Sequence, residues 1–335
     1  MRVVEVAPPF GIDALAYVER PDPTPGPGQV VLRMRALSLN YRDLLVVNGT
    51  GRWRAPGPRI PLSDGVGEVV AIGEGVTRVR AGDRVAPLFY PHWSDGPPAP
   101  EKMEVALGGA GTDGLYAEQA LLHESAVVHV PPHLTDEEAA TLPCAGLTAW
   151  HGVAEEGRLR AGGTAVVLGT GGVALFALQF ARLLGARVLA TSSSDDKLER
   201  ARSLGATAGV NYRTTRDWPA RVLELTGGGA DLVVDTAGTL AESIAAVRVG
   251  GTVSFIGFVA GTKAEVDLVA LMGKSARVQA IDVGSRAMFE SMNRAMEEGG
   301  MRPVVDRVFG FDEAAEAFRY LESGRQFGKV CIRAG

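Results

Sequence analysis

AVVLGTGGVALFALQFARLLGARVLA, residues 165–190, reads as a strand, a glycine turn, a helix and a second strand. The run Ala165–Leu168 is short, apolar and bounded by glycine, as a buried strand requires. The turn that follows, Gly169-Thr170-Gly171-Gly172-Val173-Ala174, has the spacing G-x-G-x-x-(G/A). That spacing points to a dinucleotide only after a strand and before a helix, which is its context here. Gly169 permits the sharp turn, Gly171 leaves room for a pyrophosphate, and Ala174 lets the helix pack closely on the sheet. The helix N-terminus offers unpaired N–H groups and a partial positive charge to phosphates. A glycine-rich turn that binds nothing is the competing reading.

Outward from this unit, strand-like and helical segments alternate. After the turn come RVLAT, a helix from Asp195 to Leu204, AGVNY, a helix near Asp217–Leu225, DLVVDT, a helix near Leu240–Val247, TVSFIGF and RVQAIDV. Ahead of it, Thr135–Cys144 and Ala145–Glu156 read as helical. Six strands joined by connections long enough for crossovers predict an α/β, doubly wound parallel sheet. The N-terminal third differs. QVVLRMRALSLN, GEVVAIG and DRVAPLFY alternate or cluster apolar residues between glycine turns, as strands of a β-rich domain do. Phe89–Gly114 is irregular and rich in proline and glycine, either a functional loop or a surface insertion. The tail after Gly284 is too short to fold alone and is expected to return to the N-terminal domain.

Composition narrows the function classes. A chain of 335 residues accommodates two domains. A net charge of -5 gives no attraction to nucleic acid or an anionic membrane. Two cysteines, Cys144 and Cys331, exclude a disulfide framework and a cysteine-rich structural zinc site. The start, MRVVEVAPPFG, has no apolar core of a secretory signal, so a cytoplasmic protein is expected. Thr164–Ala181 carries no charge, but its glycine turn divides it into strand and helix and argues against a membrane span.

These residues together resemble the medium-chain dehydrogenase/reductase superfamily, in its zinc-independent, quinone-oxidoreductase-like branch. The resemblance rests on LSLNYRDLLVVNG (37–49), PLSDGVGEVVAIGEGV (61–76), GDRV (82–85), LPCAGLTAW (142–150), the glycine turn and FGKVCI (327–332), and it covers essentially the whole chain. It implies a β-rich GroES-like catalytic domain from residues 1–130 and 285–335, and a Rossmann domain from residues 131–284. It also implies a homodimer or homotetramer, with Arg277–Asp282 joining the sheets of two copies.

Zinc-dependent members of that superfamily hold a catalytic zinc with a Cys, a His (often followed by Glu) and a second Cys. At those places this chain has Asn40, Ser63-Asp64 and Cys144. One thiol beside a neutral amide and a hydroxyl does not make the N/S set that zinc takes, so no metal is expected. The histidines show no ligand spacing; His92, in the irregular segment, is kept as a pocket candidate.

NAD-preferring folds place an acid at the end of the second strand to grip the ribose 2′-OH. Here that position falls in Ala190-Thr191-Ser192-Ser193-Ser194, which favours NADPH over NADH. The hydroxyls of Ser192 and Ser193 and the Lys197 ammonium can donate to a 2′-phosphate, and the resemblance to NADPH-dependent quinone reductases implies that Lys197 and Tyr212 line it, although Asp195 and Asp196 weaken the electrostatic case. The resemblance adds Thr148, Ala237, Gly238, Ile256, Gly257, Phe258, Val283, Gly284, Phe327 and Lys329 as coenzyme contacts.

Hydride transfer leaves negative charge on the substrate oxygen. Without a metal, protein donors must meet it or the substrate must spread it. A quinone or an α,β-unsaturated carbonyl does the second, so these are the expected small-molecule substrates. The candidate pocket residues are Asn40, Tyr41, Asp43 and Asp64, with His92. Asn40 is an amide donor, Tyr41 a donor or a packing group, and Asp43 more a structural anchor than a catalyst. An alcohol or aldehyde dehydrogenase, or an NADPH-binding protein with little turnover, are the rival readings.

Overall fold

A computed structural model describes residues 1–334. In chain order the strands are β1 (Arg2–Val6), β2 (Leu15–Glu19), β3 (Gln29–Leu39), β4 (Asp64–Ile72), β5 (Arg84–Pro87), β6 (Gln119–His123), β7 (Val127–His129), β8 (Thr164–Leu168), β9 (Arg187–Ser192), β10 (Ala208–Asn211), β11 (Ala230–Asp235), β12 (Val247–Phe255), β13 (Arg277–Ala280), β14 (Val305–Gly310) and β15 (Lys329–Arg333). The chain forms two compact units: residues 1–147 with the segment from Gly284 onward, and Thr148–Val283.

The second unit is the doubly wound sheet. Its strand order is β10-β9-β8-β11-β12-β13, and every neighbouring pair is parallel. The chain runs outward from β8 through β9 to β10, then returns to β11 on the other side of β8. The order therefore reverses between β8 and β11, where α/β sheets bind ligands at their carboxyl ends. Val166, Leu189, Val233 and Val253 are buried, as befits strands covered on both faces. The crossovers are Gly172–Leu183, Asp195–Ser203, Trp218–Thr226, Leu240–Ala246 and Leu268–Lys274. Serine and aspartate begin two of them in the ordinary way: Ser194 accepts from Lys197 N and Asp217 from Ala220 N. The helix Leu268–Lys274 is not evident from the sequence pattern, because Leu268, Val269 and Met272 are exposed and Leu271 packs against the core without them.

In the first unit β14-β15-β3-β4-β5-β7 form one sheet, with β6 also paired to β3, and β1 pairs with β2. The tail enters this sheet through β15, antiparallel to β3. Leu32, Met34, Leu37, Tyr116 and Phe318 fill its core. The segment 131–147, expected with the Rossmann domain, belongs to this unit instead. Its short helix Asp136–Ala139 packs on β3, β4 and β15, and Ala139, Ala140 and Leu142 are buried. The expected helix Ala145–Glu156 is an α-turn, Leu147–Trp150, flanked by wider π-turns. The segment Phe89–Gly114 contains one short helix, Pro100–Met103, and is anchored by buried Trp93 and Leu107. No helix among the described residues is long and apolar enough to cross a membrane.

Two glycines of the Rossmann unit separate packing from binding. A Cβ on Gly257 would lie 1.7 Å from the backbone oxygen of Thr236, whereas one on Gly171 would meet nothing within 4 Å. Gly257→Ala should lower stability by about 3 kcal/mol or more, since backbone rather than a flexible side chain must move. Gly171→Ala, at an ordinary φ of -80°, should stay within about 0.5 kcal/mol of the parent. Thermal and denaturant unfolding of the two variants checks the contrast.

Candidate functional site

Three neighbouring strands of the first unit bring distant residues together. β3 ends at Leu39, β4 begins at Asp64 and β15 begins at Lys329. In the sheet Leu39 stands opposite Val330, and Ser38 opposite Asp64. The register therefore gathers Asn40, Asp64 and Lys329 at one end. The Lys329 ammonium is buried. It donates to Leu39 O at 2.7 Å and to Asn40 Oδ1 at 2.5 Å, and lies 3.9 Å from Asp64 Oδ2. Asp64 accepts from Ser63 Oγ at 2.8 Å and from Cys144 N at 3.2 Å. Asn40 begins the helix Tyr41–Val47, and its backbone N–H donates to Asp43 Oδ2 at 2.7 Å. Its side-chain oxygen accepts from Lys329 Nζ and completes a capping box with Asp43, while Nδ2 is buried, faces the Asp64 carboxylate and makes no hydrogen bond of good geometry among the described residues.

Around this cluster the irregular segment is tied down. Arg42 Nη1 donates to Leu107 O at 2.8 Å, and its guanidinium lies over the Phe89 ring and 3.2 Å from Asp43. Leu62, two residues before Asp64, has φ +72°, and its carbonyl accepts from Leu115 N at 2.9 Å. A Cβ on Gly108 or Gly114 would strike the Leu62 backbone. Both glycines are therefore required where the segment presses on the strand that carries Asp64.

Burial dominates the electrostatics. It pushes Asp64 up to about 6, against the pull of the Lys329 ammonium. It also raises Asp43, against Arg42. The Cys144 thiol is held well above its usual value by burial, with the Asp64 charge adding to the effect. A neutral amide, a hydroxyl and a thiol with one carboxylate, crowded by a buried ammonium, make a poor donor set for a zinc ion, which takes anionic or imidazole ligands and no cation among them.

Of the pocket candidates, the structure brings Asn40, Asp43 and Asp64 together. Asp43 is wholly buried and serves the helix start and Arg42. Tyr41 is exposed. His92 is not part of the cluster. It lines a separate groove of about 800 Å³ with Ile60, Leu107, Gly114 and His123, whose walls include none of the cluster residues. Phe327, expected at the coenzyme, is buried, and Lys329 is engaged with Asn40.

The second unit holds the glycine turn at the carboxyl end of β8. Gly169 has φ +88°, and its N–H donates to Thr191 O at 3.0 Å, which binds the turn to β9. Gly171 begins the helix Gly172–Leu183 with no side-chain cap, so the first-turn N–H groups of Gly172 and Val173 remain for a ligand. Thr170 is buried beside them. At the end of β9, Ser192 Oγ accepts from Ser194 N, and Ser192 O accepts from Tyr212 N. Asp195 Oδ1 accepts from Asn211 Nδ2 at 2.9 Å, which occupies the nearest carboxylate.

Sequence reading missed Asp235. This fully buried carboxylate ends β11 and accepts from Ala237 N at 3.0 Å, Gly238 N at 2.8 Å and Ser243 Oγ at 2.9 Å. Its backbone oxygen accepts from Ile256 N and Gly257 N. One residue thus shapes both loops expected at the coenzyme; its sequence signal is an acid closing an apolar strand, DLVVD. Val283, a β-branched residue at φ +53°, is held by its carbonyl accepting from His151 Nδ1 at 2.7 Å. Thr148 is buried, Phe258 half-buried, and Gly284 lies within reach of Leu147 and Met288 in the first unit.

Comparison with known proteins gives two family matches: an alcohol dehydrogenase GroES-like domain over residues 26–132 and a zinc-binding dehydrogenase over residues 172–298. A zinc-type alcohol dehydrogenase-like protein of Schizosaccharomyces pombe is 42% identical over 92% of this chain and 91% of its own. A quinone oxidoreductase of Pseudomonas aeruginosa is 32% identical over 96% of each chain. A crystal structure of an NAD-dependent alcohol dehydrogenase superposes with a TM-score of 0.91 at 35% identity, covering 100% of both chains.

The raised Asp64 makes a prediction with a definite sign. The unfolded chain releases this proton near the ordinary carboxylate value of 3.8, while the folded chain holds it to about 6. Ionised Asp64 therefore costs nothing at lower pH, costs progressively more as pH rises through this window, and costs a constant amount above it. Relative to the parent, Asp64→Asn should gain stability across that window by up to about 3 kcal/mol, on top of any constant offset from the altered Lys329 contact. Denaturant melts from about pH 3 to 8 check it; a pH-independent difference would show that Asp64 ionises as freely in the fold as in the unfolded chain.

Proposed function

Because the chain belongs to the medium-chain dehydrogenase/reductase superfamily of oxidoreductases, we propose that it is an NADPH-dependent, zinc-independent reductase. Its substrates on this reading are quinones or α,β-unsaturated carbonyls. The observation that carries the reading is the cluster at the ends of β3, β4 and β15. At the positions of the metal ligands the chain places an amide, a hydroxyl beside a carboxylate and a thiol, and the one anionic group, Asp64, faces the buried Lys329 ammonium instead.

When bound, the reduced nicotinamide supplies the hydride. Gly169, Thr170, Gly171, Gly172 and Val173 would hold the pyrophosphate at the helix start, and Ala237, Gly238, Ile256 and Gly257 the loops beside it. Asn40 Nδ2 would donate to the substrate oxygen. A neutral amide donor is weaker than a Lewis acid. It suits an oxygen whose charge is already delocalised, as in the enolate formed when hydride adds to the β-carbon of an enone. A proton from water at the α-carbon then completes the reduction. The Pseudomonas quinone oxidoreductase is similar over nearly its whole length, which agrees with this chemistry.

NADPH is preferred on the residues at the end of β9. Thr191 to Ser194 contain no carboxylate, and Asp195 is engaged by Asn211. Ser192, Ser193, Lys197 and Tyr212 are assigned to the 2′-phosphate. The similarity to an NAD-dependent alcohol dehydrogenase supports a second reading, in which alcohols or aldehydes are the substrates and NADH the coenzyme.

The proposal extends to a homodimer. β13 is the edge of the parallel sheet, and an unpaired edge is a template for another chain. Val278 on that strand, and Leu268, Val269 and Met272 on the helix before it, are exposed. A second copy adding its own β13 would cover them.

Two experiments test these readings. Metal-stripped protein should oxidise NADPH with 1,4-quinones or enones at a rate unaffected by chelator, and Lys197→Ala should raise KM for NADPH about tenfold with little change for NADH. Turnover confined to alcohols and aldehydes, or restored only by zinc, would favour the second reading. Val269→Glu with Met272→Glu should convert a dimer to a monomer by light scattering; a parent already monomeric at micromolar concentration would exclude the proposed pairing.

A further inference from the structure

We propose that Lys329 is a positioning residue. It fixes the carboxamide of Asn40 so that the site offers Nδ2 hydrogens to its ligand, and the site thereby selects an acceptor oxygen. This deepens the proposed reductase reading and rests on it. An amide can be turned end for end at almost no steric cost, so its direction is set by its partners. An ammonium has three donors and no acceptor. The 2.5 Å contact from Lys329 Nζ therefore requires the Asn40 oxygen, and the reversed amide would oppose donor to donor.

Lys329 itself has little freedom. Leu39 O takes a second N–H at 2.7 Å, and Asp64 stands 3.9 Å away as the countercharge. The pairing of β15 with β3 sets its place. With Oδ1 committed, what remains of Asn40 is Nδ2, a buried donor whose two hydrogens face the Asp64 carboxylate without a hydrogen bond of good geometry, which leaves at least one of them unclaimed. Buried donors are nearly always paired, so this one is kept for an acceptor brought by a ligand. Carbonyl, quinone and enolate oxygens meet that requirement; a ligand presenting N–H or O–H alone does not. The positive charge behind the amide also strengthens Nδ2 as a donor to an oxygen that gains negative charge during hydride transfer.

Asn40→Asp is the discriminating variant. It leaves two oxygens for Lys329 but removes the donor. It should fold, with a melting temperature lowered at neutral pH by the third carboxylate beside Asp43 and Asp64, yet reduce kcat with a quinone or enone by about a hundredfold at a temperature well below that transition. Lys329→Met should cost about tenfold or more, and Lys329→Arg should recover part of it. The double variant Lys329→Met/Asn40→Asp should be no worse than Asn40→Asp alone, because one acts through the other. In ¹⁵N-labelled protein, the side-chain amide signals that Asn40→Asp deletes should shift in Lys329→Met. Losses that multiply in the double variant, near-parental kcat in Asn40→Asp, or amide signals unmoved in Lys329→Met would each overturn the proposal. If Lys329→Met does not fold, Asn40→Asp decides alone. If the parent reduces no quinone or enone, the reductase reading fails, while the amide signals still test the role of Lys329.

Discussion

The first unit is built around a buried ammonium that must be neutralised. Lys329 lies at the start of β15, where Leu39 O, Asn40 Oδ1 and Asp64 receive its hydrogens and its charge. Removing a lysine and two aspartates from water costs several kcal/mol per ion, and their attraction repays this only if the geometry is satisfied. Each part of the surrounding structure contributes to that geometry. The β3–β15 register brings Lys329 to Asn40. Ser63 and Cys144 N hold Asp64. Arg42 holds Asp43 and the Leu107 carbonyl, so the irregular segment closes over the same charges. Such a cluster is a poor source of stability compared with an apolar core of the same volume, which points to retention for function.

The Rossmann unit depends on close backbone approach rather than on charge. Thr236–Gly238 and Ile256–Phe258 run back to back at the carboxyl ends of β11 and β12, so near that Gly257 tolerates no Cβ. Asp235 holds both loops, one through its carboxylate and one through its backbone oxygen. On the other side of the switch point, the Gly169 turn is tied to β9 through Thr191.

Local features were legible in the sequence, and features created by register were not. Residues 165–190 show strand, turn and helix because each depends on neighbours within a few positions. The doubly wound sheet followed from the crossovers. The contact of Lys329 with Asn40 spans 289 positions and exists only because β15 lies beside β3. A lysine in FGKVCI reads as a strand start, and nothing local says that it is buried. The helix Leu268–Lys274 escaped notice for the opposite reason: its exposed apolar residues follow no core-facing period. The segment 131–147 reads as helical and its pattern groups it with the helices after it, but small buried residues pack it in the first unit. His92 and Asp64 both looked like pocket residues in sequence, and the folded chain sends them to different places.

The chemistry follows from what this cluster can and cannot stabilise. A divalent metal would meet a localised alkoxide directly. Here the positive charge is set back behind an amide, and part of it is spent on Asp64. The oxygen of a substrate would receive a neutral hydrogen bond polarised by a cation one residue away. That modest stabilisation would suffice for a charge already spread over an enolate or a hydroquinone monoanion, whereas a charge concentrated on a single oxygen would need a stronger partner. On the proposed reading, the buried ammonium that crowds a metal out would be the same feature that polarises the donor to the substrate oxygen.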